Sequence, residues 1–129
     1  VTWLLDVSAL VAHLVQSHEH HSRVNAWWSG RSFAVCPITE LGFLRVACAL
    51  GSTMEDARKV LAEFLRNEAV AFIPCDRRVL DSPAITAPRK STDIYLADLA
   101  SARGWLLAVL DEGISHPAAD LIPELPAQP

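Results

Sequence analysis

Short apolar runs, each closed by an acid, a proline or a glycine, alternate along this chain with longer stretches of helical apolar spacing. That alternation is the strongest restriction on the fold, because strands separated by helical crossovers build a mainly parallel sheet covered by helices. Leu4-Leu5 and their neighbours read as a buried strand ending at Asp6. Phe33-Ala34-Val35-Cys36 reads as a second, ended by Pro37, and Ala69-Val70-Ala71-Phe72-Ile73 as a third, halted by Pro74. Trp105 to Leu110 is a fourth, closed by Asp111, and Leu121-Ile122 is a last short apolar segment. The expectation is a single α/β domain over residues 1–129, with a mainly parallel central sheet of about four to five strands flanked by helices.

The helices between them carry their own punctuation. One should start at Ser8, with its hydroxyl as the cap, and run through Leu14. A second carries Val24, Trp27 and Trp28 and stops at Gly30-Arg31-Ser32; a third starts around Ile38-Thr39 and ends at Gly51. The clearest follows Thr53, where Asp56 stands three residues after the cap. Its predicted apolar face is Met54, Ala57, Val60, Leu61, Phe64 and Leu65. From Cys75 to Lys90 the prolines permit at most a short helix. A last helix runs from Ser91 or Thr92 to Arg103, with Gly104 as its stop.

Composition removes several classes of function. Of 129 residues, 51% are hydrophobic and 20% charged, which excludes a disordered chain. A net charge of −4 argues against a whole-surface grip on nucleic acid, though local arginines or a metal can supply positive charge. Cys36, Cys48 and Cys75 form no CxxC pair and read as small buried hydrophobes of a reducing compartment rather than zinc ligands. The apolar N-terminus lacks the basic flank of a signal peptide, and no run is long enough to span a membrane. A cytoplasmic domain without membrane contact is expected.

Four carboxylates stand where a fold would rather place something else. Asp6 interrupts an apolar run, Glu40 opens the apolar-rich Leu41–Val46, Asp93 follows the helix-start signal Ser91-Thr92, and Asp111 ends the fourth strand. A charge there is costly to desolvate unless it is paired or binds a cation. In parallel sheets, sites form beyond the carboxyl ends of strands, so these acids are placed to converge. A converged set is an oxygen-rich site suited to Mg²⁺ or Mn²⁺.

The segments Leu4-Leu5-Asp6-Val7-Ser8-Ala9-Leu10, Thr39-Glu40-Leu41-Gly42-Phe43-Leu44-Arg45, Thr92-Asp93-Ile94-Tyr95-Leu96-Ala97 and Leu110-Asp111 together resemble the acidic motifs of PIN-domain ribonucleases. The likeness is to the VapC-type toxins of bacterial toxin–antitoxin pairs, and it spans nearly the whole chain, including His18, His21 and Trp28 around the second helix. The resemblance implies metal-dependent hydrolysis of RNA, leaving a 5′-phosphate and a 3′-hydroxyl. It makes Asp6, Glu40, Asp93 and Asp111 both the catalytic and the metal-binding residues, with Asp6 and Asp93 as the main ligands of Mg²⁺ or Mn²⁺. It also implies an RNA substrate, a cognate antitoxin protein and a homodimer. Two departures touch the last acid. Val109 replaces the family's frequent threonine two residues before it, and Glu112 replaces a basic or polar residue after it. Ser8 falls within the family's small polar choices and is placed to bond Asp6 or a metal-bound water.

Other readings compete. Asp6 can be a helix cap at a strand end, Glu40 and Asp93 helix-dipole acids, and Asp111 a turn aspartate before Gly113. Asp98 lies roughly 140° round its helix from Asp93 and reads as surface charge or a salt bridge. His18-Glu19-His20-His21 reads as a solvated cluster rather than a zinc site, and Trp3, Trp27, Trp28 and Trp105 as core or interface. Arg45, Arg77, Arg78, Arg89 and Lys90 are the cations placed to meet phosphate. A PIN-fold protein that has lost catalysis and serves as an RNA- or protein-binding module is the alternative function. A phosphoacceptor receiver domain is disfavoured, since it needs paired acids after the first strand and this chain has only Asp6 there.

Overall fold

Side chains alternate between the faces of a strand, and in this chain both faces are apolar. The computed structural model describes residues 1–127, apart from the Asn67 side chain; Gln128 and Pro129 of the expected domain lie outside the described residues. Its strands are β1 (Thr2–Leu5), β2 (Ser32–Val35), β3 (Ala71–Phe72), β4 (Leu106–Val109) and β5 (Ala119–Leu121), in the sheet order β3-β2-β1-β4-β5. Every pairing is parallel. On one face Leu5, Phe33, Val35 and Ala108 join one core; on the other Leu4, Ala34, Leu107 and Val109 join a second. The α/β reading therefore holds, and the sheet is wholly parallel.

Five helices cover those faces: α1 (Val7–Leu14), α2 (His21–Trp28), α3 (Pro37–Ala49), α4 (Met54–Asn67) and α5 (Ser91–Ser101). The first four pack Ala9, Leu10, Val24, Trp27, Phe43, Ala57, Leu61 and Phe64 into the core on one face. Helix α5 packs Tyr95, Leu96, Leu99 and Ala100 on the other. Each fully buried leucine contributes about 1.5–3 kcal/mol, enough in sum to carry a few costly polar positions at the rim.

Local signals set most boundaries. Pro37 occupies the first turn of α3, where its missing N–H costs nothing, and Thr53 Oγ1 accepts the Asp56 N–H at 3.1 Å to cap α4. The cap of α1 differs from the expected one. Asp6, not Ser8, caps it, accepting the Ala9 N–H at 2.7 Å, while Ser8 is exposed. The predicted third strand shrinks to two residues, because β3 is an edge strand with a neighbour on one side only. On α4, Met54 and Val60 are exposed; the surface it meets covers Ala57, Leu61 and Phe64, with Leu65 partly buried beside them.

The chain runs outward from β1 to β2 to β3, then returns across the sheet to β4 beside β1. The β1–β4 boundary is thus the topological switch point, where a crevice opens beyond the strand ends. Asp6 follows β1 directly, with its N–H on the Ala108 carbonyl at 3.3 Å, and Asp111 follows β4 by two residues. No helix among the described residues is long and apolar enough to cross a membrane.

Candidate metal centre

Asp6 is the residue with most at stake. It is 2% exposed, and burial, offset in part by the Ala9 amide and aided by the charges of Asp93 and Asp111, pushes its carboxyl up to about 7. Asp93 comes from the first turn of α5, half-buried; burial first and then Asp111 push it up, against the pull of Lys90. Asp111 goes the other way. The Lys90 ammonium donates to its Oδ2 at 2.6 Å and the Gly113 N–H to its Oδ1 at 2.8 Å, holding its carboxyl below the usual range.

Three of the four expected acids thus feel one another at the switch point. Glu40 does not join them. Burial alone raises its carboxyl, and it lines a groove between α3 and α4 with Leu44, Glu55, Arg58 and Lys59. The same helix presents Arg45 and Leu41 to a second groove of about 550 Å³, shared with Val7, Thr92 and Asp93.

The donors fit a hard divalent cation. The deciding observation is Asp6, a buried carboxyl with acids as its charged neighbours and, among the described residues, no cation acting on it. Among the described residues, no three His, Cys, Asp or Glu side chains already form a cage for an ion. Mg²⁺ does not require one, since it is commonly bound by one or two carboxylates and keeps several waters. Asp6 and Asp93 are the least compensated pair, because Asp111 already accepts from Lys90 and Gly113 while keeping a lone pair on each oxygen.

The PIN domain matches this chain over residues 3–120. The chain belongs to the PIN-domain family. Its VapC-type relatives include Ribonuclease VapC38 of Mycobacterium tuberculosis, 37% identical over 123 residues and 86% of each chain. Ribonuclease VapC29 of the same organism is 31% identical over 98% of each chain, and Ribonuclease VapC44 is 32% identical over 87% of each. A crystal structure of VapBC2 from Rickettsia felis, bound to a DNA fragment from their promoter, contains a chain with the same fold at a TM-score of 0.59. It is 13% identical, covering 88% of this chain and 90% of that one.

Other sequence-level assignments resolve into structure. Asp98 is a salt bridge and nearly buried, accepting from His116 Nε2 at 2.7 Å. Arg77 spends its Nε on Ser82 Oγ at 3.0 Å and also bonds the Asp81 carbonyl, so it braces a loop rather than facing the acids. His21 bonds the Ala12 carbonyl at 2.8 Å and the His18 ring accepts the His20 N–H at 3.0 Å. The three cysteines are free; Cys36 is buried and Cys48 and Cys75 are partly so. Trp27 is buried and Trp28 stacks on Phe33 with centroids 3.8 Å apart. Lys90 is the residue whose position the sequence did not show, being 21 positions from the acid it binds.

Proposed function

We propose that this PIN domain is a metal-dependent ribonuclease, the toxin of a toxin–antitoxin pair. The observation that carries the reading is the buried Asp6 facing Asp93 and Asp111 at the switch point, an arrangement that lacks charge balance until a divalent cation enters. The names of its relatives, Ribonuclease VapC, supply the substrate class. Mg²⁺ or Mn²⁺ bound there would supply Lewis-acid chemistry, lowering the pKa of water and neutralising charge on the phosphate.

The chain's own residues prepare that site. The Ala9 amide fixes one Asp6 oxygen, and the first turn of α5 holds Asp93 opposite. Arg45, beside Asp93, and Arg89, whose charge reaches Asp111, are placed to attract an RNA phosphate. Glu40 acts in this reading only if its side chain turns from the α3–α4 groove toward the metal. A VapB-type antitoxin partner, a homodimer and a cytoplasmic setting belong to the same proposal, supported by family membership.

The test is cleavage of structured RNA by the purified chain as Mn²⁺ is titrated. Asp6→Asn and Asp93→Asn should each reduce the rate at least about 100-fold while melting stays cooperative. Cleavage that persists in both variants would sink the assignment. RNA binding without any metal-stimulated cleavage would favour the binding-module alternative instead.

A further inference from the structure

Lys90 is placed unlike an ordinary surface lysine. It precedes α5 in a left-handed backbone conformation, φ 61°, and is one of two non-glycine residues with positive φ among the described residues. Such a conformation is unfavourable for a residue with a Cβ, so something must hold it. Its side chain, 24% exposed, reaches back to Asp111 Oδ2 at 2.6 Å. Gly113 leaves room for it, since a Cβ there would collide with the Lys90 Nζ and stand 3.1 Å from Asp111 Oδ1. The ammonium also acts on Asp93, the acid three residues along α5.

The charges around this ammonium can be counted. Asp6, Asp93 and Asp111 bring three negative charges when ionised, and Lys90 returns one. Arg89 also acts on Asp111, so at most two negative charges remain, no more than a single divalent cation neutralises. The Asp111 carboxylate accepts from Lys90 on one oxygen and Gly113 on the other, so its charge is already compensated without a metal. Two-metal phosphodiester sites place their ions about 3.5–4 Å apart to clamp the attacking and leaving oxygens. Here a fixed ammonium stands on one of the three acids such a pair would share.

We infer that Lys90 replaces a second metal ion, so that this site binds one divalent cation, on Asp6 and Asp93, with Asp111 serving as the lysine's anchor. The inference rests on the metal-nuclease reading and refines it. Lys90 is a positioning residue toward Asp111 and supplies the local positive charge that a second ion would otherwise bring.

The experiment counts ions rather than turnover. Mn²⁺ binding to the purified chain is measured by titration calorimetry, with the electron paramagnetic resonance spectrum reporting whether bound ions are coupled. The wild-type chain should bind one Mn²⁺ with the signal of an isolated ion. Lys90→Met, which removes the charge and keeps the stem, should bind two, with a coupled signal. Lys90→Arg, which keeps the charge, should bind one. Two ions in the wild type or in Lys90→Arg, or a single ion in folded Lys90→Met at whatever affinity, would overturn the inference and leave the nuclease reading standing. A wild-type chain that binds no Mn²⁺ would overturn both. Should Lys90→Met not fold, Lys90→Gln, which also removes the charge, takes its place with the same expected count of two and the same overturning count of one.

Discussion

Gly42 of α3 lies directly against Val7, the first residue of α1: a Cβ on Gly42 would stand 2.9 Å from Val7 Cγ1 and closer still to Cγ2. This contact sets the approach of the two helices immediately beside Asp6. Both Val7 and Gly42 also line the groove that Asp93 borders. Gly42→Ala should destabilise the fold by about 1–3 kcal/mol, as overpacking of tight contacts does. Removing the γ-methyls in Val7→Ala/Gly42→Ala should restore most of that loss, read from urea unfolding midpoints. Full additivity of the two single effects would show that the contact is not the cause.

The raised Asp6 carboxyl gives a signed pH dependence. In the unfolded chain Asp6 ionises near pH 4, whereas in the metal-free fold burial delays ionisation to about 7. Between those values the folded chain holds the extra proton, so stability falls as pH rises through that window and then levels. Asn caps helices as well as Asp does, so Asp6→Asn should gain on the wild type across the same window, by at most about 4 kcal/mol. Unfolding free energies of the two chains against pH, in chelator, test this. Parallel curves would contradict it.

Divalent ions should act in the opposite sense. Mg²⁺ or Mn²⁺ should raise the wild-type melting temperature more above about pH 7 than near pH 5, where Asp6 is protonated and binds metal poorly. Differential scanning fluorimetry across pH is sufficient. A rise independent of pH would place the ion elsewhere.

Glu40 stands apart from the other acids, which sets a ranking. Glu40→Gln should weaken Mn²⁺ binding by no more than about 10-fold, the lower bound of outer-shell changes. Asp93→Asn should weaken it more. Titration calorimetry on both variants checks the order, and a reversed order would mean that Glu40 turns inward when metal binds.

His116 and Asp98 form a structural pair. The His116 Nδ1 accepts the Ala118 N–H at 3.0 Å, so in the neutral ring the proton lies on Nε2 and is donated to Asp98. Burial pushes the Asp98 carboxyl up, but hydrogen bonds to His116 and Ser82 and the charges of His116 and Arg77 together outweigh it, and the net shift is downward. That stabilisation is present above the usual carboxylate range and is lost as pH falls through it. His116→Ala should therefore cost about 1–3 kcal/mol at neutral pH, by stranding a nearly buried carboxylate. RNA cleavage well below the melting temperature should be unchanged.

Much of the architecture was legible because each rule involved was local or repeated. The central strands are buried on both faces, so they read as unbroken apolar runs, and Thr53 with Asp56 announced α4. The misreadings have equally local causes. At the α1 start two capping residues compete, and Asp6 starts the helix earlier by taking the Ala9 amide, where a cap at Ser8 would take that of Leu10 or Val11. On α4, helical spacing shows which residues share a face but not how wide a neighbour will cover it, so Met54 and Val60 stay exposed.

The sequence alone determined the order of strands and helices and the acids that close them, since periodicity and breaking residues are written residue by residue. It also carried the family resemblance. Which acids meet was decided only by the tertiary structure. The return of β4 beside β1 brings Asp6, Asp93 and Asp111 together across about 100 residues of chain. Glu40 is left in another groove by the turn of α3, and Lys90 reaches Asp111 through a backbone conformation that no local pattern signals. Charge balance at the site is a sum over side chains that the fold selects, and it exists only once the chain has closed around them.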